Sequence, residues 1–283
     1  MKMRRASSRS SFRRNGRGVS PAISTVMLTS AIVVLLLVTI VFANNFLNAQ
    51  MAENEFSAME QFMQTVGLQI DDVAWIIGRT QTIRYASKYG QVSFEYGALN
   101  YTIYVDKGAG YVYLTSNRTG VLLFNMPISR YSLRNNYYES IFPSDSSFLQ
   151  KGTSAPISYV YAIEKLPMLH GSFIRVVVAP IIRMLNSTIS MGVTKNYFKF
   201  YLPILSNGTS PYYSQSVTLT GKNVLVKTEG SVNAVKIRVS FPRIGEGFGS
   251  DFFNFDSEEK VVDVPVCSII EFYTSEVSVS LGL

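Results

Sequence analysis

One histidine and one cysteine in 283 residues leave little from which to build a metal centre or a nucleophilic triad. His170 lies between Pro167 and Gly171, the setting of a turn residue rather than a catalytic base. Cys267 sits in the apolar run Val264–Ile270 and reads as a small core residue. Being alone, it forms no intrachain disulfide. Gly245-Glu246-Gly247-Phe248-Gly249 is glycine-rich, but no helical pattern follows to offer a phosphate the N-terminus it needs, so it reads as a surface loop. Asp251, Asp256, Glu258, Glu259 and Asp263 carry oxygen ligands of the kind Ca²⁺ takes. Their spacing is not the alternating 1-3-5 order of a calcium loop, so they read as a solvated acidic face. These readings indicate no metal, no cofactor and no enzyme. Four asparagines carry a different chemistry. Asn100, Asn117, Asn186 and Asn207 each begin an Asn-X-Ser/Thr acceptor for N-linked sugar. Asn117 and Asn207 stand in apparent turns, and Asn100 within a strand.

The elements that place these groups begin with the first 52 residues. Met1–Gly18 holds seven Lys/Arg and no acid, and Val19–Ala52 holds no charged residue. Removing those seven from the 26 Lys/Arg leaves 19, equal to the 19 Asp/Glu. The formal charge of +7 therefore belongs wholly to the head and gives no ground for nucleic-acid binding. Ala22–Ala43 is 22 residues, about 33 Å as a helix against a hydrocarbon core of about 30 Å. Thirteen of them are Leu, Ile, Val or Phe, which favours insertion by about 4–8 kcal/mol. A basic head before such a helix predicts a single membrane pass with the head cytoplasmic and everything after Ala43 outside, which puts all four acceptor asparagines on the outer face.

A secretory signal has a shorter apolar stretch followed by small residues. Here the small residue, Gly18, precedes the apolar run, and Ser20 and Pro21 are suited to cap and open the helix. The order Arg17-Gly18-Val19-Ser20-Pro21-Ala22-Ile23 followed by a hydrophobic tract resembles the class III signal peptides of archaeal type IV pilins and pilin-like proteins. The resemblance covers about the first fifth of the chain. It implies cleavage by a prepilin peptidase between Gly18 and Val19, packing of the freed helix into a homo- or hetero-polymeric surface filament, and service by a pilus assembly ATPase and its membrane platform. Ile23 stands where bacterial pilins usually carry a glutamate, an acid that archaeal relatives commonly lack.

Past the apolar stretch, Phe56, Met59, Met63, Val66, Ile70, Val73 and Ile77 recur at 3-4-3-4-3-4 spacing, a heptad seam that extends the helix to Gly78 as C-cap. The seam packs on the chain's own globular part, on neighbouring subunits, or on both from different sides of the helix, the first being the ordinary use of such a stripe. Gly67 in mid-helix weakens it by about 1 kcal/mol. After Gly78 the apolar period becomes 2, and short runs from Thr82–Ala86 to Val277–Leu281 predict a meander of strands. Ser129–Pro156 reads as a long loop or a boundary between two lobes. The expected organisation is a leader, 1–18; a pilin-like helix, 19–78, with its membrane span at 22–43 and amphipathic continuation at 53–77; and a β-rich extracellular region, 79–283. The fold class is α+β, a long hydrophobic and amphipathic helix followed by antiparallel, sandwich-like sheet. A filament subunit and a monomeric membrane-anchored surface protein or adhesin are the two functions this organisation accommodates. An anchored ectoenzyme or solute-binding module is a third class, for which the residues supply no site.

Overall fold

The computed structural model describes residues 21–166, 171–191, 193–208 and 215–282. The chain divides into two compact units, Met1–Asn48 and Ala49–Leu283. One helix, α1 (Pro21–Ala74), supplies the described part of the first unit and opens the second. The rest of the second unit is one eleven-stranded sheet, so the protein is α+β as its periodicities predict.

The strands are β1 (Thr80–Arg84), β2 (Gln91–Asp106), β3 (Tyr111–Pro127), β4 (Tyr137–Phe142), β5 (Leu149–Lys151), β6 (Ser158–Glu164), β7 (Phe173–Pro180), β8 (Ile182–Met191), β9 (Val193–Asn207), β10 (Ser216–Ser240) and β11 (Glu259–Gly282). They lie in the order β4-β6-β7-β3-β2-β10-β11-β9-β8-β5, with β1 on β10. Pairing is antiparallel except at β11–β9 and β5–β8. A 3-10 turn, Ile244–Glu246, and a single-turn helix, α2 (Ser250–Phe253), link β10 to β11.

Alternation along the strands builds two cores, one on each face of the sheet. On β3, Leu122, Phe124 and Met126 enter the core shared with α1, while Val121 and Leu123 enter the other. β6 repeats this, with Val160 and Ala162 on the helix side and Tyr159, Tyr161 and Ile163 opposite, which is why all seven of its residues are buried. The second core joins side chains of β2, β3, β6 and β7 to Ile182 and Met184 of β8 and Phe200 and Leu202 of β9. Phe248, Phe252 and Phe253 close it. The glycine-rich stretch is therefore a core plug rather than a surface loop, and a short helix does follow it. Phe248, between Gly247 and Gly249, supplies its apolar content, and Phe252 and Phe253 of α2 continue the plug.

Several predicted breaks are bulges inside longer strands. Gly97, at φ +67°, shifts the register of β2 between Glu95 and Leu99, and β10 absorbs shifts at Gly221/Asn223 and Glu229/Val232. An extra residue in one strand bends it without ending it. Bends of this kind let β10 serve β1, β11 and β2 in turn. The stretch expected as loop, 129–156, carries β4 and β5 of the same sheet.

Candidate functional site: the helix and its seat

Every residue of α1 from Ile23 to Leu47 is exposed, and the stretch is uncharged. It is long and apolar enough to cross a membrane. Three of its hydroxyls bond back to the helix. Thr29 Oγ1 donates to the Thr25 carbonyl at 2.9 Å, Ser30 Oγ to Met27 at 3.0 Å and Thr39 Oγ1 to Leu35 at 2.7 Å. Bonding back in this way removes most of the cost of a hydroxyl in hydrocarbon.

In the second unit the heptad seam faces the sheet. Phe56, Met59, Met63, Val66, Ile70 and Val73 are all buried, in one cluster with Phe124, Val160, Val176, Leu219 and Val279. Ile77 is the exception. The helix ends at Ala74, three residues earlier than the periodicity predicts, and Ile77 is 68% exposed. The stop has a cause in the sheet. Ser275 Oγ donates to the Ala74 carbonyl, and a Cβ on Gly221 would lie 2.6 Å from the carbonyls of Val73 and Ile76. Gly78, at φ +82°, then turns the chain, its N–H donating to Gly221 O at 2.8 Å.

Polar contacts fix the helix along its length. Glu55 captures the 87–89 turn, accepting from Ser87 Oγ at 2.5 Å, Lys88 N at 3.0 Å and Tyr89 N at 2.9 Å. Asp71 accepts two bonds from Arg183 of β8, at 2.7 and 3.1 Å, and one from Trp75 Nε1 at 2.8 Å. The bidentate geometry makes this the strongest class of ion pair. Trp75 packs edge-on against Tyr201, which stacks on Tyr273 with ring centres 4.8 Å apart. The Glu55 and Arg183 anchors escaped the sequence reading because Ser87 lies 32 residues from Glu55 and Arg183 lies 112 from Asp71. With the seam turned inward, the outward stripe of α1 in this unit is Asn54, Ala58, Gln61, Thr65 and Leu68, also at heptad spacing and all exposed.

Glu60, on the flank of the helix, has its carboxyl pushed up to about 7, first by burial and then by the charge of Glu139 on β4. The folded protein thus holds this proton more tightly than the unfolded chain, for which the ordinary value is 4.5. Raising the pH from about 4.5 to about 7 therefore favours unfolding through this group. Glu60→Gln is expected to raise the thermal midpoint at pH 8 and leave it nearly unchanged at pH 4. Unfolding followed by circular dichroism at the two pH values checks the sign.

The remaining predicted site residues scatter. Gly18, Val19 and His170 lie outside the described residues. Asn100 is in β2 as expected, with its Nδ2 donating to Ser240 Oγ at 3.2 Å. Asn117 is not in a turn. It pairs with Tyr101 inside β3, and its Nδ2, the atom a sugar would join, is buried. Thr119 of the same acceptor is fully buried, its Oγ1 accepting from Leu205 N at 2.9 Å. The stretch read as a turn is a strand because Gly120 serves close packing. A Cβ there would lie 2.3 Å from Phe94. Asn186 is exposed in β8 together with Thr188, and Asn207 is exposed at the end of β9. Cys267 is exposed rather than in the core. Residues 264–267 of β11 have no partner on β10, and at φ +66° the cysteine turns out of the pleat. Among the described acids, Asp251 pairs with Lys165, Asp256 with Lys260 and Glu259 with Lys236.

The predicted site residues that the structure brings together are those of a helix seat. Compared with known proteins, the chain matches no family, no curated protein and no solved structure.

Proposed function

We propose that this protein is a pilin-like structural subunit of an archaeal cell-surface filament, released from its leader after Gly18 and assembled through its N-terminal helix. The observation that carries the reading is the division of labour along α1. Its first half, Ile23–Leu47, is exposed and apolar, and its second half is seated in the chain's own β unit. An apolar helix of this length must be covered by lipid or by other helices. The order of basic head, Gly18 and uncharged helix supports removal of the charge that would hold the helix in the membrane. On this reading the working partners are a prepilin peptidase, other pilin-like subunits, an assembly ATPase and a membrane platform, and the β unit lies outside the cell.

N-terminal sequencing of the native protein is the direct test. Mature chains are expected to begin at Val19 and to enter filaments sheared from cells. Gly18→Arg is expected to leave a precursor heavier by 18 residues that stays in the membrane. Mature protein beginning near Asn44, or wild-type protein recovered only as a detergent-solubilised monomer, would overturn the proposal. A second reading, a membrane-anchored surface protein, draws on one specific observation. The heptad seam is already filled within the chain, so the β unit needs no neighbour to cover it.

A further inference from the structure

A cavity of about 170 Å³ opens at the end of the sheet where β2, β3 and β7 run side by side. Gln91, Ser93 and Glu95 line it from β2, Phe173 and Arg175 from β7, and Phe248 covers it from the link between β10 and β11. The odd positions of β2 and β7 share one face of the pleat, which brings these polar groups to the edge of the second core.

Arg175 is the unusual member. It is 2% exposed, the largest charged side chain taken inside the protein among the described residues. Its Nε donates to Asn125 Oδ1 at 2.9 Å and its Nη1 to the Phe173 carbonyl at 3.3 Å, and Asn125 Nδ2 in turn donates to Ser93 Oγ at 2.7 Å. The guanidinium also lies over the Phe173 ring, 5.3 Å from its centre. Burial pulls its pKa down to about 10, against the charge of Glu95. A buried guanidinium is expensive, and this one is oriented at a cavity wall by the Asn125 side-chain oxygen and the Phe173 carbonyl, among other contacts.

The charges around the cavity select the ligand class. Glu95 is held by Arg243 at 2.8 Å, and Arg243 also binds Glu246 and lies over the Phe248 ring. Among the described residues, two arginines thus meet two glutamates. An anion entering beside Arg175 would face the Glu95 carboxylate, and a cation beside Glu95 would face the guanidinium. A neutral ligand carrying several hydroxyls uses both, giving protons to Glu95 and accepting them from Arg175 and from the exposed Gln91 amide. Its C–H faces suit the walls made by the phenylalanines. The volume is below that of sites for drug-sized molecules and matches one six-membered ring.

We propose that this cavity is a binding site for one neutral polyhydroxylated ring, a saccharide residue. The inference is independent of filament assembly, since the cavity lies wholly within the second unit. The test titrates the full-length protein in detergent micelles with methyl α-mannoside, methyl β-galactoside, methyl β-glucoside and N-acetylglucosamine, with acetate and phosphate as charged probes. Saturation-transfer NMR reads binding. At least one neutral glycoside is expected to saturate with a Kd of about 1 mM, and Gln91→Ala, at an exposed position outside the core, is expected to weaken it about tenfold by removing one hydrogen-bonding group. Arg175→Lys, which keeps the charge and loses the planar fork, should abolish binding. If that variant fails to fold by near-ultraviolet circular dichroism, Gln91→Ala decides. Absence of saturation by every neutral glycoside, saturation by acetate or phosphate instead, or unchanged affinity in Gln91→Ala would each overturn the proposal.

Discussion

Met63→Asp is expected to unfold the unit formed by residues 49–283, whereas Leu68→Asp, five positions along the same helix, leaves it folded. Met63 is fully buried in the helix-side core, and Leu68 is 50% exposed on the outward stripe. Deleting the buried methionine costs about 2–5 kcal/mol. An unpaired carboxylate placed in the same apolar site adds several more, or takes up a proton to avoid them. The sum is about the whole stability of an ordinary domain, roughly 5–15 kcal/mol. At Leu68 the side chain points to solvent, and a polar substitution there stays within about 0.5 kcal/mol. Urea unfolding of both full-length variants in detergent, followed by tryptophan fluorescence, makes the comparison. Trp75 reports directly, since it stands at the end of the seated helix between Asp71 and Tyr201. Equal stability of the two variants would mean that the seam does not face the sheet. The same pair separates assembly from folding. On the filament reading, Leu68→Asp is the variant that folds and yet fails to assemble.

Gly67→Val is expected to destabilise the same unit by about 2–4 kcal/mol. A Cβ at position 67 would lie 2.8 Å from Ser158 Oγ and 3.0 Å from Val160 Cγ2, both on β6. That strand cannot retreat, because its opposite face is packed into the second core. Overpacking costs about 1–3 kcal/mol. Displacing Ser158 also breaks its 2.8 Å hydrogen bond to the Gly67 carbonyl, worth about 1 kcal/mol. The better helix propensity of valine returns only a few tenths of a kcal/mol. Gly67→Ala, with a smaller side chain, is expected to fall between glycine and valine. Removing the opposing hydroxyl with Ser158→Ala should then recover part of the loss, a coupling that a double-mutant cycle measures. If Gly67→Ala stabilises by the full propensity difference of about 1 kcal/mol, the helix does not approach β6 this closely.

Local periodicity carried the helix and its seam, because a buried helical face repeats within the reach of a few residues. The seam from Phe56 to Val73 is the buried face residue by residue. The end of the helix was not legible, since Gly221 and Ser275, which meet its last carbonyls, are 147 and 201 positions away from Ala74. Glycines were the main source of error in the sheet. Gly97 and Gly221 sit at bulges inside continuous strands, and Gly120 makes room for Phe94. Sequence marks where a side chain is missing without saying what fills the space. For the same reason Asn117 was assigned to a turn, and Cys267 was assigned to the core because nothing local marks the unpaired, left-handed backbone that turns it outward. The cavity around Arg175 left no trace in the sequence, because its lining is assembled from strand positions 91, 93, 95, 173 and 175 by pairing alone.

The bond from Ser275 to the end of α1 has a consequence for biogenesis. The helix is made before the strand residues that complete its seat, Val277 and Val279 of β11, which follow Ala74 by some 200 positions. Domains form as their chain becomes available during synthesis, so the apolar face from Ala52 to Ala74 waits through some 200 residues of elongation before it can be covered. During that interval a second sticky surface trails directly behind the first. A chain interrupted before β11 would present both at once, because Val277, Val279 and Ser275 complete the seat of the helix.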